Sequence, residues 1–140
     1  MKNWILFAFI SMFFAGFTSV IAKQGLTGIS GELGLTIRTL FVCIFILGFA
    51  MFSVSGQEFS SITQKNLFWL GLSGITTTLS WIYYYKALKL GDVSTIALID
   101  KGSAVVAIFL AWLILKETIT LRMILGASCI VLGLIVISKK

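Results

Sequence analysis

Five apolar stretches, each long enough to cross a bilayer, fill nearly the whole chain and leave little between them. They run over about 4–22, 33–53, 67–88, 93–115 and 120–137. A spanning helix needs roughly 17–25 predominantly apolar residues. Backbone groups in hydrocarbon have no water to bond, so the choice is helices or a closed barrel, and continuous apolarity at these lengths excludes strands. The sequence therefore predicts an all-α, polytopic membrane protein: a bundle of five transmembrane helices in one domain, residues 1–140.

Composition agrees. Of 140 residues, 59% are hydrophobic and 11% charged, against about 25% charged in an ordinary soluble domain. The net charge of +6 does not point to nucleic acid, because the basic residues punctuate the ends of apolar runs, where they anchor helices at headgroups. The lipid bilayer is the expected partner. Cys43 and Cys129 lie in apolar runs without metal-ligand spacing and read as packing residues. No metal, cofactor or catalytic group is expected: the chain has no His, no nucleophile–base pair within reach and no phosphate-cradling glycine loop. The connections are short; Lys23–Glu32 and Val54–Asn66 carry glycine and serine breakers, while Lys89–Asp92 and Lys116–Ile119 are tight enough to make neighbours antiparallel. Met1-Lys2 and the Val20-Ile21-Ala22 end of the first stretch resemble a secretory signal, but the apolar run is too long for one and is expected to stay as a span.

Charges inside the spans carry the functional signal. Asp100 and Lys101 interrupt the fourth apolar stretch, where a charge costs about 2.5–3.5 kcal/mol on insertion scales. A short carboxylate cannot snorkel from such depth, so the pair reads as functional. Arg38 lies about five residues into the second span and Asp100 about seven into the fourth, roughly 8–10 Å from the same boundary at 1.5 Å per residue. Matching depth suggests an Arg38–Asp100 pair, with Lys101 turned about 100° away. The plainer reading is that Arg38 snorkels to the headgroups and Asp100 neutralises it. In the third span Gly74, Thr77 or Thr78, Trp81, and Tyr84 or Tyr85 share one face. That face offers hydroxyls and rings to a solute; alternatively the tyrosines form an interfacial belt. Ser103, Ala107 and Ala111, and Gly126, Cys129 and Gly133, form small-residue stripes that read as packing seams within a bundle or between subunits.

With five spans the termini fall on opposite sides. Lys2, Lys65, Lys116 and Arg122 share the N-terminal side; Lys23, Arg38, Lys86, Lys89, Lys139 and Lys140 share the other. This small bias favours a cytoplasmic C-terminus and permits insertion in both directions. Oppositely inserted copies would make an inverted repeat.

Several motifs resemble one family. Trp81–Asp92 is similar to the "YYxALKxG" helix end of EamA-like proteins of the drug/metabolite transporter superfamily. Ile99-Asp100-Lys101-Gly102-Ser103 resembles the "IDKxS" element of its short five-helix bacterial and archaeal branch; Leu115-Lys116-Glu117, Gly126 and Gly133 resemble its closing elements. Ala22-Lys23-Gln24-Gly25 and Ile37-Arg38-Thr39 add to the likeness. Relatives commonly place Pro near "IDK" where this chain has Leu98, which argues against a broken fourth helix. The resemblance implies half of a ten-helix secondary transporter, completed by a homodimer or an opposite-facing homologous subunit, that carries small metabolites or drug-like solutes across the cell inner (plasma) membrane. It implies no cofactor and no particular cargo. Arg38, Trp81, Tyr84, Asp100 and Lys101 are the expected substrate-binding or coupling residues, with Asp100 the candidate for proton coupling. The rival expectation is a non-transporting scaffold or subunit of a larger membrane complex; a four-helix exporter fits less well, because 4–22 carries no acidic residue.

Overall fold

A computed structural model describes residues 3–138; Lys2, Lys139 and Lys140, which entered the charge comparison, lie outside the described residues. The chain is all-helical, with no strand among the described residues. The helices are α1 (Asn3–Gly25), α2 (Gly31–Ser53), α3 (Gly56–Ser60), α4 (Gln64–Leu90), α5 (Val93–Asp100), α6 (Ser103–Leu110) and α7 (Leu121–Ser138), with a π-helical turn at Ala111–Leu115. α1, α2, the 93–115 stretch and α7 are each long and apolar enough to cross a membrane. α4 is longer still, 27 residues or about 40 Å, but less apolar, because it carries the threonine run and lysines near both ends. The five-helix membrane architecture stands.

Local chemistry sets the boundaries. Ser30 opens α2 by accepting from the Leu33 N–H at 3.2 Å. Thr63 and Thr120 accept from Asn66 N–H at 3.2 Å and Met123 N–H at 3.3 Å, so three helices begin on a hydroxyl that satisfies one orphan donor. Gly28, at φ +78°, makes the turn between α1 and α2, a backbone region glycine enters without a Cβ clash. In the 54–66 connection, expected to be loop throughout, α3 forms because Glu58 accepts from the Ser55 N–H at 2.7 Å.

The fourth span departs from expectation. It divides at Lys101–Gly102 although no proline is present. There the ladder tightens to i→i+3 bonds: Lys101 N–H to Leu98 O at 3.1 Å, Gly102 N–H to Ile99 O at 2.9 Å, and Ala104 N–H to Lys101 O at 3.1 Å. Gly102 next to Ser103 supplies what proline would have, since glycine–serine pairs are established points of helix interruption. The span then widens into its π turn and stops at Lys116, in the left-handed region at φ 58°.

The chain divides into two compact units. One holds residues 21–90, the other 1–20 with 91–140. In the first, α2 packs on α4. A Cβ on Gly31 would meet the Tyr85 carbonyl oxygen at 2.9 Å and its carbon at 3.2 Å, so the two backbones nearly touch. Around this contact lie Leu26, Tyr85 and Leu88, at 2%, 4% and 0% exposure the buried apolar residues among those described. Lys23 donates to Leu88 O and Lys89 donates to Leu26 O at 3.0 Å. The reciprocal bonds satisfy carbonyls at helix ends, where cationic side chains are favoured. Glu32 and Lys86 add an ion pair at 3.6 Å.

In the second unit α7 packs on α6 and α5. The expected glycine seam is not used there: Gly126 and Gly133 have open space within 4 Å. Gly102 makes the close approach instead, where an added Cβ would lie 2.9 Å from Leu134 Cδ1. Cys43 and Cys129 are free and exposed rather than packed, and most large apolar side chains are likewise exposed, as suits surface meant for lipid.

Candidate functional site

α2 and α4 bring together the most unusual side chains in the first unit. The Arg38 guanidinium carbon lies 4.4 Å from the centre of the Trp81 ring and 5.8 Å from that of Tyr85. Arg38 is therefore held against rings, whatever part of its stem reaches toward the headgroups. A guanidinium over an indole gains about 0.5–2 kcal/mol, more as water is excluded. Arg38 Nη1 and Tyr85 Oη are both buried and make no hydrogen bond within the protein. An unmade buried bond costs about 1–3 kcal/mol, so fold stability does not account for these two groups.

A groove of about 480 Å³ runs beside this cluster between the same helices. Its polar wall is Glu32, Thr36 and Thr39 from α2, with Thr78 and Trp81 from α4; Leu35, Leu40 and Ile82 complete it. The register explains the mixture: positions 32, 36 and 39 share one helix face, as do 78, 81, 82 and 85. The sequence left Thr77 or Thr78, and Tyr84 or Tyr85, open. Thr78 lines the groove and Tyr85 is the buried ring beside Arg38. Tyr84 is half-buried, its ring centre 6.5 Å from that of Tyr85. Glu32 and Thr39 were not singled out as site residues. Glu32 looked like an ordinary span-end charge, and Thr39 shows its place only once the facing helix is known.

The second unit holds the other charges. Asp100 Oδ2 lies 3.8 Å from Lys101 Nζ, with the carboxylate side chain 41% and the lysine 56% exposed. The two side chains converge, although on a regular helix they would diverge; the tightened turn lies directly under them. Arg38 and Asp100 thus each have a neighbour of their own, an indole for one and an ammonium for the other. A groove between α6 and α7, also about 480 Å³, is lined by residues such as Val105, Phe109 and Val131 and carries no charge. Of the two, the α2–α4 groove holds a carboxylate and three threonines, whereas the α6–α7 groove has one hydroxyl, Ser128, and one ring, Phe109.

The EamA-like transporter family model matches residues 2–139. The chain belongs to the EamA-like transporter family. It is also 33% identical over 137 residues to an uncharacterized transporter from the cobO 3' region of a Sinorhizobium species, covering 98% of this chain and 97% of that one. No solved structure matches. As an EamA-like transporter, the chain is a multi-pass membrane protein whose family moves small solutes. Half-buried Arg38 and the paired Asp100 and Lys101 are then charges within the helices of a transporter.

Proposed function

We propose that this chain is a secondary carrier of small metabolites or drug-like solutes in the bacterial inner membrane, working as an antiparallel homodimer. In this reading residues 1–140 form one domain that serves as half of a ten-helix carrier. Arg38 carries the proposal: a half-buried guanidinium, stacked on Trp81 and left with an unbonded Nη1, is a cost within a span that fold stability does not explain and a solute pathway does. Trp81 and Tyr84 contribute the wall of the solute pathway, while Asp100 and Lys101 serve coupling at the point where the fourth span divides. Discontinuous helices supply such points in many carriers, because freed backbone groups and charges meet there. The dimer has its own support. Few side chains are buried in one copy, and open space at Gly126 and Gly133 suits close approach by another helix.

Flux measured in proteoliposomes, with and without an imposed pH gradient, tests the proposal. The expected result is solute movement that the gradient accelerates, and that Asp100→Asn uncouples while assembly stays normal. Lost assembly with unchanged flux would favour the scaffold reading. Labelling of single cysteines placed near each terminus should also reveal two oppositely oriented populations. One orientation only, with no homologous partner present, would remove the basis for the antiparallel pair.

A further inference from the structure

Resting on the carrier reading, we infer that the α2–α4 groove takes a primary amine with an apolar body, its ammonium exchanging for Lys86 as the counter-ion of Glu32. The argument begins with hydroxyl protons. Thr36 donates to Glu32 O at 2.9 Å, Thr39 to Leu35 O at 2.8 Å and Thr78 to Gly74 O at 2.8 Å. With its one proton committed to its own helix, each hydroxyl presents only acceptor lone pairs outward. Glu32 is acceptor-only when ionised. The polar wall of the groove therefore asks for donors.

Glu32 selects among donors. Its pair with Lys86 is 3.6 Å long, and the two side chains are 62% and 51% exposed. Such a pair holds weakly, so a competing ammonium can replace the lysine. Arg38 fixes which way round the solute lies. Its guanidinium already occupies the Trp81 ring, so the positive head avoids that end and goes to Glu32, while the apolar body lies along Leu35, Leu40 and Ile82. An anion would gain Arg38 only by setting its own charge among threonine oxygens that have no proton to offer. On a carboxylate this exposed, a charged donor outbids a neutral one by up to about fivefold.

Calorimetric titration of the unsubstituted protein in lipid nanodiscs tests this with three probes sharing one apolar body: 2-phenylethylamine, 2-phenylethanol and phenylacetate. Empty nanodiscs correct for partition into lipid. The amine should bind tighter than the alcohol by up to about fivefold, and phenylacetate weakest. Equal binding of amine and alcohol, preference for phenylacetate, or no heat with any probe would overturn the inference. Glu32→Gln should remove the advantage of the amine over the alcohol; an advantage that persists excludes Glu32 as the selecting group. A second measurement locates the site. In a Cys43→Ser, Cys129→Ser background, the amine should shield Thr39→Cys from a maleimide, and undiminished labelling under saturating amine would place binding elsewhere. Amine binding without flux of any solute would count against the carrier and leave the site intact; flux without amine binding would count against the site alone.

Discussion

Arg38→Met is expected to lower solute flux by at least about tenfold while leaving thermal stability in detergent unchanged or raised. The two readouts part because of how Arg38 is held. Its guanidinium packs on Trp81 and near Tyr85, contacts that methionine replaces with apolar area and sulfur–aromatic contact. What methionine removes is the charge and the unbonded Nη1, and apolar replacement of a poorly compensated buried charge is often neutral or stabilising. Arg38→Lys should recover little flux, since a compact ammonium cannot reproduce a planar group stacked on an indole. Loss of folding together with flux in Arg38→Met would show that the guanidinium braces the fold instead. Thermal unfolding followed by tryptophan fluorescence, alongside the flux assay, separates these outcomes.

Gly31→Ala should destabilise the chain by about 1–3 kcal/mol, the range for overpacking a close contact. The new Cβ would sit 2.9 Å from the Tyr85 carbonyl oxygen and 3.2 Å from its carbon, and neither backbone atom can swing aside as a side chain would. α2 and α4 must separate there, which strains the Glu32–Lys86 pair and the packing around Leu26 and Leu88. Gly74→Ala and Gly48→Ala provide the contrast, because an added Cβ meets nothing within 4 Å at either place. Alanine there should be neutral or stabilise by up to about 1 kcal/mol through helix propensity. Equal effects at all three positions would mean that the 31–85 approach does not hold the helices together.

How much of this was legible from sequence depended on which forces act locally. Span-length apolarity is a one-dimensional property, so the helical stretches were placed to within a few residues. α4 extends beyond 67–88 to Gln64 and Leu90 because Thr63 caps it and Lys23 and Lys89 tie down its far end. The divided fourth span was missed because proline was taken as the agent, whereas Gly102-Ser103 loosens the ladder with no residue that forbids a helix. Arg38 and Trp81 were both chosen as site residues, yet their pairing was not foreseen: depth alone matched Arg38 to Asp100, and the face Trp81 presents to α2 is a tertiary fact. Glu32 stayed hidden for a related reason, since a carboxylate in the first turn of a helix is what the helix dipole favours.

The fastening at the ends of α1 and α4 also bears on the order of synthesis. Lys23 and Leu88 are 65 positions apart, Lys89 and Leu26 63, and contacts that distant form late. The first two helices must therefore enter the bilayer and wait, unlatched, until residues 85–89 have left the ribosome. A nascent chain arrested before that point should remain open to proteases at the Gly28 turn, and become resistant once Lys89 has emerged.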